Sequence, residues 1–198
     1  ASRTIKQGFK GEYTIGASSD ADYATIEQAV AALGDGVESA VTFKIEDGTY
    51  RENIYVKDVE GTSEEHPIKF VSKSGNRDGV IITGGGYSEP AYGVHKLGMF
   101  AVENTPYVTV DALSLIPESQ SYPMAMQVYN QSRHFTLKNC VVKAETVKTG
   151  YKGINLVQAE SINEEGKNND YMTIEDCSLE GGYIALYLGG TKFVSLTK

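Results

Sequence analysis

The chain has 198 residues, with 26 acidic against 18 basic side chains and a formal net charge of −8 at pH 7. That balance argues against a nucleic-acid binder, which needs a basic face, and against docking to an anionic membrane surface. No apolar run reaches the roughly 20 residues of a membrane-spanning helix, so no membrane insertion is expected.

The length is that of one domain able to bury a sizeable core. The opening ASRTIKQGFK lacks the apolar centre of a signal peptide. The two cysteines, Cys140 and Cys177, are too few for a disulfide framework and lie in no CxxC pattern. His66, His95 and His134 are scattered, without ligand spacing. No metal site and no cofactor are therefore expected.

In chain order, GEYTIG reads as a short strand. DYATIEQAVAALGDG follows with Ile26, Ala29, Val30 and Leu33 at helical spacing. Thr25 and Gln28 have the capping-box separation, and Gly34 and Gly36 stop the helix. The spacing predicts a helix over about 25–33 within an N-terminal cap, residues 1–36. Strands and turns fill the rest, 37–198. VTFKIEDGTY, ENIYVKD, PIKFVSKSGN and GVIITGGG are short, β-branched and bounded by Gly, Asp, Asn or Pro. The triple glycine at 84–86 has no helix behind it, so it reads as a corner permitting positive φ rather than a phosphate cradle.

The second half repeats. YVTVDALSL, HFTLKNCVV, YMTIEDCSL and FVSLTK superimpose without gaps. Val110, Leu137, Ile174 and Leu196 share one position, with Thr109, Thr136, Thr173 and Ser195 before them. Asp111, Lys138 and Glu175 form the next column, and Leu113, Cys140 and Cys177 a further one. Each segment follows another strand: MFAVEN, AMQVYN, GINLVQ and YIALYLG. A strand–corner–strand unit repeated at solenoid spacing predicts an all-β fold, a single-stranded parallel β-helix. Strand alternation then points Met126, Val128, Ile154, Leu156, Ile184 and Leu186 inward. It points Gln127, Tyr129, Asn155, Val157, Ala185 and Tyr187 outward. The two cysteines are expected as stacked buried thiols rather than a disulfide.

GEYTIG, DYATIEQAVAAL, VTFKIEDGTYRENIYV, HPIKFVSKSGN and VIITG together resemble the opening of the pectin lyase-like right-handed β-helix superfamily. The Gly-Thr-Tyr-x-Glu stretch is similar to pectin methylesterases, and closer still to β-helix modules of large secreted bacterial surface proteins. The resemblance covers nearly the whole chain. On the esterase pattern it implies a glutamine just before AMQV, a Gln-Asp pair in the next turn and an aspartate in the strand after. This sequence has Pro123 or Met124, then Lys152 and Gly153, then Ile184 or Ala185 at those places. The acid/base carboxylate pair is missing there, so the reading leans away from catalysis and names no catalytic residue.

Glu103, Gln127, Tyr129, Asn155 and Tyr187 remain on the outward sheet, with Tyr92 and Tyr122 in loops able to wall a groove. Amides pair with sugar hydroxyls and aromatic faces cover sugar rings. The expectation is an extracellular or cell-surface module that binds polysaccharide or acts in adhesion. Competing expectations are a lyase- or esterase-like enzyme and a structural stalk segment. NEEGKNND lacks EF-hand spacing, so calcium is not indicated. FVSLTK ends in mid-repeat, which suggests an uncapped C-terminal end, and with it a longer parent chain or end-to-end association.

Overall fold

The computed structural model describes residues 8–84, 98–118, 124–144, 155–160, 168–181 and 184–198, the side chains of 155–160 excepted. Its strands fall into three parallel sheets, each taking one strand per coil. The first holds β1 (Phe9–Ile15), β2 (Val37–Ile45), β5 (Ile68–Ser72), β8 (Val108–Asp111), β11 (Thr136–Lys138), β14 (Thr173–Glu175) and β17 (Ser195–Thr197), in that order. The second runs β4 (Ile54–Lys57), β7 (Phe100–Glu103), β10 (Met126–Tyr129), β13 (Asn155–Glu160) and β16 (Ile184–Gly189). The third runs β3 (Gly48–Arg51), β6 (Val80–Thr83), β9 (Ser114–Leu115), β12 (Val141–Lys143) and β15 (Ser178–Glu180). This is the parallel β-helix expected from the repeat.

Alternation builds the core. In β2, Val41, Phe43 and Ile45 are fully buried between outward Thr42 and Lys44. Phe43 stacks on Phe70 of the next coil at 5.2 Å, and Phe70 meets Phe100 edge-on at 5.5 Å. The repeat register is the expected one: Val110 pairs with Leu137, Leu137 with Ile174 and Ile174 with Leu196. Lys138 forms an ion pair with Asp111 at 3.1 Å in the adjacent column.

The helix α1 (Ile26–Ala32) closes the first coil, followed by a short 3-10 turn at Leu33–Asp35. Thr25 Oγ1 accepts from the Gln28 amide at 3.1 Å, while Gln28 Oε1 accepts from Ala24 N–H at 3.2 Å. A second cap comes from the coil beneath: Glu52 Oε2 accepts from the Glu27 amide at 2.7 Å. The Tyr50 hydroxyl donates to the Glu46 carbonyl at 2.8 Å. Within the Gly-Thr-Tyr-x-Glu stretch, Glu52 thus seats the helix, while Tyr50 ties the stretch to the end of β2.

The corners run mostly without glycine. Asp58, Asn104 and Asn130 follow strands of the second sheet with φ of 51°, 45° and 49°. Small polar side chains tolerate that left-handed conformation best after glycine. Tyr107, His134, Tyr171 and Phe193 are also left-handed, with φ of 55–62°, each just before the first sheet. Their rings stack coil on coil, with centroids 4.4, 4.7 and 4.8 Å apart. Inside one corner, Thr105, Ser132 and Asn169 are almost wholly buried. Each accepts from a backbone amide of the coil before, at 3.3, 3.3 and 3.0 Å. Gly84 answers a steric demand rather than the expected positive φ: a Cβ there would lie 2.6 Å from the Glu52 carbonyl oxygen. Gly85 and Gly86 lie outside the described residues.

Candidate functional site

The second sheet's outward face carries the candidate site. Its register makes two outward columns among the described side chains: Tyr55, Ala101, Gln127 and Tyr187, and beside it Lys57, Glu103, Tyr129 and Gly189, with Gln158 and Glu160 at the backbone register places between the last two of each. Four inter-strand steps of about 4.8 Å separate Tyr55 from Tyr187, a track of ~19 Å.

Glu103 is the centre of the second column. Its Oε2 accepts from the Tyr55 hydroxyl and, at 2.8 Å, from that of Tyr129. Its Oε1 accepts from Asn130 Nδ2 at 2.7 Å, and the Lys57 ammonium stands 3.4 Å away. The glutamate side chain is only 13% exposed. Burial, then the hydrogen bond to the Glu103 carboxylate, pushes the Tyr129 phenol well above its ordinary pKa. Tyr129 therefore stays a neutral donor throughout the physiological range. Asn104 Nδ2 donates to Asp58 Oδ1 at 2.7 Å at the adjoining corner. A carboxylate with four donors around it is pre-ordered, and its charge is offset locally by Lys57.

Of the residues expected to form the site, the structure brings together Glu103 and Tyr129. Both Tyr129 and Gln127 are only 6% exposed, where open side chains were expected. Gln127 Oε1 accepts from Gly98 N–H at 3.0 Å, so Gly98 lies against it. Tyr187 is open, at 40% exposure, two coils further on in the Gln127 column. Asn155 does not stand beside Gln127: Val157 pairs with Met126 and Gln158 with Gln127. GINLVQ is thus offset by three residues from the expected alignment, which moves Asn155 out of the outward columns. Tyr92 and Tyr122 lie outside the described residues.

Tyr55, Lys57, Asn130 and the backbone place of Glu160 are additions. ENIYVKD is legible as a strand, but only the pairing of Val56 with Val102 assigns it to this sheet.

At another corner a shallow groove of about 570 Å³ is lined by Arg77, Asn139, Asp176, Cys177 and Ser178. Cys140 is buried as expected, whereas Cys177 is only partly so, and neither forms a disulfide. The hydrogen bond from Cys140 holds the Cys177 thiol below its ordinary pKa, helped by the nearby Arg77 charge, while burial pushes Cys140 up. Among the described residues no group of three or more His, Cys, Asp or Glu side chains is placed to hold a metal ion, and no helix is long and apolar enough to cross a membrane.

No protein-family model and no curated relative matches the sequence. Solved structures do. Pectin methylesterase PemA from Erwinia chrysanthemi matches 85% of this chain and 48% of its own, at 14% identity and a TM-score of 0.55. The pectin methylesterase from Aspergillus niger in deglycosylated form matches over 97% and 59%, at 14% identity and 0.51. A pectin methylesterase in complex with a hexasaccharide matches over 83% and 54%, at 12% identity and 0.51. The chain spans about half the length of these proteins. At such identities the likeness establishes the fold, the pectin lyase-like parallel β-helix.

Proposed function

We propose that this chain is a polysaccharide-binding β-helix module of an extracellular or cell-surface protein. The observation that carries the reading is the outward track of the second sheet. It sets tyrosines at Tyr55 and Tyr187 about 19 Å apart across five coils, with the Glu103 cluster between them. Such a track offers aromatic faces and fixed polar edges along one direction, as an extended glycan does. The fold neighbours lend support, one being a methylesterase bound to a hexasaccharide.

The test is a screen of plant, host and bacterial polysaccharides that scores binding and turnover in the same wells, with and without calcium. Binding without turnover is expected, weakened about tenfold or more by Tyr187→Ala, the loss of roughly one stacked aromatic contact. Silence across all three glycan sets would sink the reading.

A second reading, a polysaccharide-active enzyme, is favoured by one specific observation. Glu160 holds the register place next to Tyr129, so Glu103 and Glu160 belong to one column. Sequence alignment with the esterase pattern did not find that carboxylate. Turnover abolished by Glu160→Gln, with binding intact, would establish this alternative in place of the module.

A further inference from the structure

The charge of the ligand can be argued from the same sheet, and this inference rests on the polysaccharide reading. Lys57 is the one cation among the described outward side chains of the second sheet. It is already committed, 3.4 Å from Glu103 and 3.8 Å from Asp58. The donors beside it are committed too, since Tyr55, Tyr129 and Asn130 all donate to Glu103. β13 contributes no cation and adds Glu160 to the column.

In sequence, the segments between these strands that lie outside the described residues carry no net charge. They carry Lys96, Lys148, Lys152 and Lys167 against Glu89, Glu145, Glu164 and Glu165. The whole chain stands at −8.

A polyuronate brings one carboxylate per sugar. Each would need an uncommitted cation or donor here, and would meet a Lys57 already outnumbered by Glu103 and Asp58. An uncharged glycan meets neither cost: its hydroxyls can donate to carboxylate and carbonyl oxygens, and its ring faces can lie on Tyr55 and Tyr187. We propose that the glycan taken by this sheet is uncharged, and that the sheet discriminates against uronic-acid polymers.

The experiment uses the full chain, a panel of neutral polysaccharides, a linear galacturonan and the same galacturonan after reduction of its carboxylates to alcohols. A chelator is present throughout, so that divalent cations cannot bridge two carboxylates. Affinities are compared at about 10 mM and about 1 M salt, where the screening length falls from ~30 to ~3 Å. The reduced polymer is expected to bind at least about tenfold tighter than the galacturonan at low salt, a gap that narrows at high salt. Glu103→Gln, which leaves Lys57 less neutralised, should raise galacturonan affinity relative to the neutral polymer. Asp58→Asn tests the same release of Lys57 if the first variant does not fold by circular dichroism.

Galacturonan binding that equals or exceeds neutral binding, or that weakens with salt, would overturn the charge inference while leaving the module reading intact. Neutral binding with no change in preference in either variant would remove Lys57 and Glu103 from the discrimination and overturn it likewise. If nothing in the panel binds, the module reading itself fails, and this inference with it.

Discussion

At the scale of single residues, two glutamates show how environment decides what a carboxylate does. Glu103 is enclosed by phenols, an amide and an ammonium, so its oxygens face the protein first. Glu46 is tied down near the N-terminal cap. Ser18 Oγ donates to it at 2.7 Å, Lys73 Nζ at 3.0 Å and the Ser18 amide at 3.1 Å. These bonds, that of the Ser18 hydroxyl first, hold the Glu46 carboxyl down at about 2. Its folded pKa lies below its unfolded value, so its stabilising effect is complete above the ordinary value of 4.5 and is lost as pH falls from there toward 2. Glu46→Gln should therefore destabilise the protein at pH 6 and progressively less on acidification, converging with the parent near pH 2. Urea midpoints of both proteins across that range measure it. A destabilisation that stays constant with pH would show that the anionic form is not what the Ser18 and Lys73 contacts favour.

Glu52 shows how an element is seated by a residue outside it. The helix α1 is only seven residues long, too short to persist alone in water. Its buried stripe, Ile26 and Ala29, is fixed against β4, and its first turn is capped by Thr25 from within and by Glu52 from the coil. Burial raises the Glu52 carboxyl above its ordinary pKa, so full charge is not what the site favours most. Glu52→Ala should cost about 1 kcal/mol, the usual worth of a cap, and speed hydrogen exchange at the Glu27 amide. Glu52→Gln keeps an oxygen in place and should fall between that variant and the parent. Equal exchange at Glu27 in all three proteins would remove Glu52 as a cap.

The same scale explains what the sequence made legible. The first and third sheets could be read because their segments align without gaps, and an apolar/polar alternation in register leaves one solution. GINLVQAE allowed two registers, since Ile154, Leu156 and Val157 are all apolar. An odd offset there exchanges the faces of every residue, which is why Asn155 was expected where Gln158 stands. Tyr55 and Lys57 were unreadable as site residues for a different reason. Their partner coil is separated in sequence by a long insertion, and only three-dimensional pairing with β7 brings them to Glu103. Coverage was likewise invisible, because the burial of Gln127 depends on where Gly98 comes to rest.

At the scale of the whole molecule, each coil's strands pair only with those of the coils before and after it, so stability is approximately a chain of neighbour terms. Phe70 occupies one link of that chain, stacked on Phe43 at 5.2 Å and edge-on to Phe100 at 5.5 Å, with no exposed surface. Phe70→Ala removes both ring contacts and leaves a cavity, at a cost of about 3–5 kcal/mol. In a globular core that loss would lower one common melting point. In a stack of coils it weakens the coupling between the helix-capped coils of β1 and β2 and the coils from β8 onward. The expected outcome is a broadened or two-step thermal transition, with amides of β1 and β2 losing exchange protection separately from those of β8 and β11. Met172→Ala, in the later coil of β14, should instead leave protection of β1 and β2 unchanged. A single sharp transition in the Phe70 variant, with protection lowered equally in every coil, would mean that the solenoid folds as one indivisible unit.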